Sequence, residues 1–310
     1  MQYHHLMDER RRVLGNRSIK DMVRVFLFPF VFSRRVARNL RLKNFVSPRI
    51  VNINYRGNRF AIIVDPKNGF VDRTIYITET WDERVGDALC RFLKKGSVFV
   101  DVGTNIGFFS LLASRIVSEE GKVFSFEPIP HCVEQVKKSV SVNKDIHNIT
   151  IFPFACGVEE GSSKIYLHSS NVGGSSLSSK IGKSATSAPE KELNVRIAKM
   201  DSVLGREDHI DVIKIDVEGM EFAVLRGAEN MLKKHRPILV IEYSPFFYEQ
   251  IEHGMSEAFV DFIREHRYVF FDIWKNKIID IEDTTKELLE ARHQLDIVCL
   301  PEEHSRDLLA

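Results

Sequence analysis

The stretch Val98-Phe99-Val100-Asp101-Val102-Gly103-Thr104-Asn105-Ile106-Gly107 constrains this chain more than any other. An apolar run ends in an acid, two glycines follow, and a helical pattern runs from Phe108 to about Val117. Such a run, bounded by turn residues, predicts a buried parallel strand. The glycines let the backbone turn tightly and approach a ligand closely. Strand, turn and helix in this order predict a nucleotide-type cofactor site at the carboxyl edge of a sheet.

Asp101 narrows the cofactor. A dinucleotide fold carries Gly-x-Gly-x-x-Gly here, because a pyrophosphate sits on the helix amino terminus. This chain has a carboxylate where that fingerprint has its first glycine. A carboxylate repels phosphate and suits a cationic, amino-acid-like ligand. S-adenosylmethionine carries an ammonium and a sulfonium and no phosphate, so it is the expected cofactor and a nicotinamide is disfavoured. The plainer alternative is an ordinary strand–turn–helix corner with a capping aspartate.

From Gly96 the pattern alternates strand and helix, which predicts a parallel sheet. Seven strands are expected: Ser97–Val102, Val123–Glu127, Ile149–Phe154, Val212–Asp216, Ile238–Tyr243, and two near Tyr268–Asp272 and Leu295–Cys299. Glu127 ends the second strand, 26 positions after Asp101, where it can accept both ribose hydroxyls of a nucleoside. Pro128 and Pro130 fix the start of the next helix. Ala155-Cys156-Gly157 offers small residues to flank an adenine ring. The fourth strand carries Lys214, Asp216 and Glu218 at its end. Charges there are costly unless paired or functional, which makes these three the candidates for chemistry. The alternative is a Lys–Asp pair that only shapes the site.

Residues 158–200 break the rhythm. Lys164–His168 and Glu192–Ala198 read as a strand pair around a Ser/Gly-rich stretch, Ser169 to Ser187. A connection this long predicts a substrate-facing loop, and His168 beside it is a second candidate base. Upstream, Arg49 to Ile77 alternates apolar and polar residues and predicts a small antiparallel sheet. A helix from Glu83 to Leu93 follows, placing Glu79, Thr80, Trp81 and Glu83 as a lip over the cofactor strand.

Residues 1–43 hold 11 lysines and arginines against 3 acids, while the rest of the 310-residue chain carries 33 basic and 40 acidic residues. The acidic body argues against a nucleic-acid binder. The basic, phenylalanine-rich start suits peripheral contact with an anionic membrane surface. The expected setting is cytoplasmic, because the four cysteines are scattered and no run reaches the length of a membrane span. The expected organisation is a basic segment (1–45), a small β/helical extension (46–95), the cofactor domain (96–300) with an insertion at 158–200, and a polar tail (301–310).

These residues resemble the FkbM-family S-adenosylmethionine-dependent methyltransferases. The match rests on Phe99 to Gly107, on Phe126-Glu127-Pro128, on Lys199 to Leu204, and above all on Lys214-Ile215-Asp216-Val217-Glu218-Gly219-Met220-Glu221 with Val224-Leu225-Arg226-Gly227-Ala228. Thr104 stands where many members have alanine. The resemblance implies a class I methyltransferase fold: an α/β, Rossmann-like, seven-stranded and mainly parallel sheet with one antiparallel strand near an edge. It implies Asp101, Gly103 and Asn105 around the methionine part of the cofactor, Glu127 on its ribose, and a sugar, glycan or secondary-metabolite hydroxyl as acceptor. The full candidate cofactor set is Glu83, Asp101, Gly103, Asn105, Gly107, Glu127, Pro128, Ala155 and Asp216. The candidate catalytic set is Asp216, Glu218, Lys214 and His168. A divalent metal held by Asp216 and Glu218 is conceivable, but two carboxylates from one strand are too few to assert one, so no metal ligand is assigned.

Overall fold

The computed structural model describes residues 48–167, 177 and 191–309. The basic segment, His168 and most of the Ser/Gly-rich stretch lie outside them, and so do the expectations placed there.

Strands β1 (Arg49–Tyr55) and β2 (Asn58–Val64) pair antiparallel across an Arg56-Gly57 turn. Their alternation buries Val51, Ile53, Tyr55, Phe60, Ile62 and Val64 on one face. The expected sheet stops at that hairpin, because residues 70–78 form helix α1 (Phe70–Thr78). Its buried Val71 and Ile75 stand four apart, a helical spacing. Helix α2 (Glu83–Phe92) begins on Asp82, whose side chain accepts the Val85 N–H.

Then come β3 (Val98–Val102), α3 (Phe108–Val117), β4 (Lys122–Phe126), α4 (Pro130–Val142) and β5 (Ile149–Phe152). Strands β6 (Ala155–Cys156), β7 (Gly161–Leu167) and β8 (Lys191–Ala198) make a separate small sheet, in which β7 and β8 are the expected strand pair and run antiparallel. After α5 (Met200–Leu204) the main sheet resumes with β9 (Val212–Ile215), α6 (Glu221–Arg226), α7 (Glu229–His235) and β10 (Ile238–Tyr243). It closes with α8 (Pro245–Ile251), α9 (Met255–Glu265), β11 (Tyr268–Asp272), β12 (Lys277–Ile278), α10 (Ile281–Ala291) and β13 (Leu295–Pro301). The polar tail forms a helix, α11 (Glu302–Leu309), whose Glu302 N–H bonds the Arg267 carbonyl.

The main sheet runs β12-β11-β13-β10-β9-β3-β4-β5. Strand β13 is antiparallel to both neighbours, and β10, β9, β3, β4 and β5 pair in parallel. All five residues of β3 are buried, as a central strand covered on both faces requires. Alternation sends Val98, Val100 and Val102 into one core and Phe99 into the other, beneath α2, α3 and the first hairpin. Asp101 shares a face with Phe99, and Lys214 shares it with Val212. Ser125 and Glu242 follow Val123 and Val240 onto the same face by the same count. Period-two arithmetic thus brings four polar side chains from four strands under one roof.

Candidate active site

The carboxyl ends of β4, β3, β9 and β10 lie side by side, and the chain reverses its direction of travel across the sheet at β3. Such a switch point leaves a crevice outside the strand ends, where an open α/β sheet binds its ligand. Asp101 and Lys214 are direct partners in the β3–β9 register. Both are buried, with Lys214 Nζ 3.4 Å from Asp101 Oδ1 and 3.5 Å from Asp216 Oδ2. The ammonium also donates to the Gly103 carbonyl at 2.9 Å and sits 5.6 Å from the centre of the Phe109 ring. Burial alone would push the lysine's pKa down, but the charges of Asp216 and Asp101 outweigh it and hold it up. Lys214 therefore ties the glycine turn, β3 and the end of β9 together as a cation.

Asp101 departs from the expected ligand contact. It is fully buried, its Oδ2 accepts the Ser110 hydroxyl at 2.6 Å, and Ser110 meets Ser125 at 2.8 Å. The carboxylate sits beneath the turn and supports it. Its side-chain partners are Ser110, which Ser125 backs, and Lys214, and the carboxylate has no exposed surface to offer a bound ammonium. Ser110 and Ser125 carry no local signal in the sequence, because a serine in an apolar helix or strand reads as filler until its neighbour is known.

Lys214→Met is expected to destabilise the chain by about 3–5 kcal/mol, since it leaves Asp101 as a buried, unbalanced charge. Lys214→Met with Asp101→Leu should recover part of that loss, because the orphaned charge goes too. Urea unfolding of the two variants and wild type checks this; equal losses would mean that the pair is not coupled.

The turn itself is tightly built. Gly103 and Thr104 donate their N–H groups to the Phe126 carbonyl at 3.0 and 3.1 Å. Asn105 takes a left-handed conformation, φ 52°, which asparagine tolerates better than most residues. Its N–H donates to Glu127 Oε2 at 2.8 Å, and Ile129 donates to Oε1 at 2.8 Å. Glu127 thus spans the turn and the start of α4. Burial raises its pKa to about 7, against the pull of those two N–H groups. Gly107 opens α3 at φ 89°. Pro128 is half-buried between Glu127 and α4. Ala155 is buried in β6, opposite Ile197. Glu83 does not join this group: it opens α2, and its charged neighbours are Asp87 and Arg56, on the side of the first hairpin.

Beyond β9 the chain turns through Asp216, Val217, Glu218 and Gly219, the last two at φ 52° and 94°. Glu221 holds this turn. It is fully buried, and its Oε1 accepts the N–H groups of Val217 at 3.0 Å and Gly219 at 3.1 Å. Burial raises its pKa to about 7, and it pushes up the already desolvated Tyr248 phenol beside it. In the sequence Glu221 is one member of a motif, and the one local signal for it is an acid in the first turn of a helix.

Asp216 and Glu218 are half-buried and face the crevice end of β9. Glu242, at the end of β10, joins them. One carboxylate oxygen from each of the three lies within 4.8 Å of the others. Two of the carboxylates come from the end of one strand, and the structure brings the third from the neighbouring strand. Gln294 donates to Glu242 Oε1 and accepts the Ser244 hydroxyl at 3.2 Å. Three carboxylates at this spacing are able to take a divalent cation, although acidic side chains also gather without one.

A sheet ordered β5-β4-β3-β9-β10-β13-β11, antiparallel only around β13, with an acid and a glycine turn after β3 and an acid after β4, defines a class I, Rossmann-like methyltransferase fold. The sequence pattern of the methyltransferase FkbM domain matches residues 101–270, more than half of the chain. The chain belongs to the FkbM methyltransferase family. It is similar to methyltransferase sdnD of Sordaria araneosa, 27% identical over 165 residues that cover 44% of this chain and 62% of that protein. It is also similar to the hexuronic acid methyltransferase AglP of Haloferax volcanii, 26% identical over 167 residues that cover 53% and 64%. The match thus spans less than two thirds of either relative. Among solved structures, a methyltransferase FkbM from Methylobacillus flagellatus KT overlays with a TM-score of 0.39 at 15% identity, covering 64% of this chain and 48% of that one.

Proposed function

We propose that this chain transfers a methyl group from S-adenosylmethionine to a hydroxyl of a sugar or glycan. The observation that carries the reading is the anionic crevice: Glu127 behind the glycine turn, then Asp216, Glu218 and Glu242 around the reversal of the sheet. Such a wall disfavours phosphate and suits a cationic nucleoside. Gly103 keeps the turn bare of side chains, and each oxygen of Glu127 keeps a lone pair for a ribose hydroxyl. When bound, S-adenosylmethionine supplies the electrophilic methyl group. Glu127 and the turn from Gly103 to Gly107 would hold it. The chain's own task is alignment and exclusion of water, which contributes about 7 kcal/mol or more in well-oriented cases.

Asp216 or Glu218 takes the proton of the acceptor hydroxyl in this reading, with Lys214 orienting Asp216 and Glu221 fixing the turn that carries both. The net acidity of the body favours a small molecule or glycan over nucleic acid. A sugar acid is a reasonable first acceptor to try, given the hexuronic acid methyltransferase among the relatives. A lipid-linked sugar would bring the work to a membrane surface, where the basic segment 1–45 would be useful. Among the described residues no helix is long and apolar enough to cross a membrane. The test is transfer of labelled methyl from S-adenosylmethionine to a panel of sugars and sugar acids. Labelled product supports the reading; tight cofactor binding without product on any hydroxyl, amine or lipid-linked acceptor would leave a non-catalytic binding protein in its place.

Glu127 offers a further check. With its pKa near 7, it is partly protonated at neutral pH. Ribose hydroxyls donating to it favour the carboxylate, so S-adenosylhomocysteine binding should release a proton at pH 7 and none at about pH 9. Calorimetry in two buffers of different ionisation enthalpy reads this directly, and Glu127→Gln should abolish the release. The sign for stability is opposite. The native state holds Glu127 and Glu221 protonated above the usual carboxylate range, so this contribution is full below about pH 4.5 and is lost as pH rises through about 7.

A further inference from the structure

Trp274 lies in the four-residue turn between β11 and β12 and is 49% exposed. It is the only aromatic residue among the large exposed apolar side chains of the described residues. A lone exposed apolar residue is ordinary; this one is held in place. The Arg84 guanidinium lies 4.2 Å from the centre of its ring. Arg84 is itself largely buried and anchored, 3.6 Å from Asp272 Oδ1 and donating to the Asp296 carbonyl at 3.4 Å. Asp272 also accepts the N–H groups of Trp274 at 2.9 Å and Lys275 at 3.0 Å. Ring and backbone are therefore both fixed.

Its place along the sheet edge gives the fixed ring a use. Strand β11 is parallel to β10, so the turn that carries Trp274 stands at the same carboxyl edge as Asp216 and Glu242. Asp296 pairs with Glu242, and extending the β11–β13 register two positions past Phe271 and Val298 brings Ile273 level with Asp296. Glu242 and the base of the Trp274 turn are thus two strand spacings apart, about 10 Å. Arg84 binds at the strand between them. One face of the indole is backed by a cation, and half of the residue's surface stays open beside the crevice.

We propose that Trp274, backed by Arg84, is a stacking platform for the second sugar residue of an oligosaccharide acceptor whose first residue is methylated beside Asp216. The apolar C–H face of a pyranose lies on an aromatic ring without requiring any particular hydroxyl pattern. A ring fixed in advance costs little further ordering on binding. This inference rests on the glycan reading above, and the test separates the two.

The probes are cellobiose, chitobiose and digalacturonic acid, with their matching monosaccharides, added to the S-adenosylhomocysteine-loaded protein. The chain has two tryptophans, so the emission of wild type minus that of Trp274→Phe reports Trp274 alone. At least one disaccharide should shift that difference spectrum while its monosaccharide does not. Methyl transfer to the same disaccharide should show a KM about five- to tenfold higher in Trp274→Ala, against less than about twofold for the monosaccharide. Far-UV circular dichroism and S-adenosylhomocysteine affinity report that the variant is folded. A sugar methylated with the same KM by wild type and Trp274→Ala overturns the platform and leaves the methyltransferase reading standing. A protein that binds S-adenosylhomocysteine but neither binds nor methylates any sugar overturns both. Vesicles of equimolar phosphatidylcholine and phosphatidylglycerol that shift Trp274 when no sugar does would make the turn a membrane contact and overturn the platform.

Discussion

Gly103→Ala is expected to cost about 3–4 kcal/mol of stability and to abolish binding of S-adenosylhomocysteine. Two terms add. Gly103 sits at φ 79°, where an L side chain is strained by about 1–2 kcal/mol. Its new Cβ would also lie 1.9 Å from the Asp216 carbonyl oxygen, with Val217 close behind. That oxygen belongs to backbone and has little room to yield, because the Asp216 N–H is bonded to the Val102 carbonyl. The two chains must part, at a typical overpacking cost of about 1–3 kcal/mol. Parting them moves Asp216 away from Lys214 and tilts the turn that the cofactor would lie on, so the functional loss exceeds the stability loss. Gly57 is the control. It has φ 90° with nothing within 4 Å of an added Cβ, so Gly57→Ala carries only the backbone strain. Thermal unfolding of both variants separates the two terms. Equal shifts in Tm would show that the approach of the β3 and β9 turns is slack.

Asp216→Asn is expected to lower kcat by about 10²- to 10⁴-fold, the usual contribution of a positioned base. The asparagine keeps the size and one acceptor oxygen of the aspartate, so the turn held by Glu221 should survive and cofactor affinity should change far less than kcat. Glu218→Gln is the paired measurement, because both side chains stand within reach of the same point and Glu242. A large loss in one and a small loss in the other identifies the base. Small losses in both would show that alignment without a protein base suffices, and would return Lys214 and Asp216 to a shaping role. Retained turnover in Asp216→Asn with lost cofactor binding in Glu127→Ala would leave the cofactor site intact and the base assignment wrong.

Much of the fold was legible in the sequence because its strands are short apolar runs that end in acids or glycines. Val98–Val102, Val212–Ile215 and Ile238–Tyr243 could hardly sit anywhere but in a covered sheet. Helix α1 is hidden in the sequence because Arg49 to Ile77 mixes two periods, and the change at Gly69 is local and weak. The tail helix is hidden for a similar reason: polar residues after a strand carry no apolar period, and only the fold brings the Glu302 N–H to the Arg267 carbonyl.

The sequence by itself determined that an acid and a bare turn follow one buried strand, that a second acid ends the next, and that three charges crowd the end of a third. Those are properties of neighbours along the chain, and alternation along a strand carries them. Only the tertiary structure decided which atoms these acids face. Asp101 turns inward to Lys214 and Ser110, and Glu127 grips two N–H groups on either side of itself. Glu221 holds the turn that carries Asp216 and Glu218, and Glu242 joins them from another strand. The physical reason is that strand order and register are set by the packing of distant apolar faces, and a buried charge takes whatever partner that packing puts beside it.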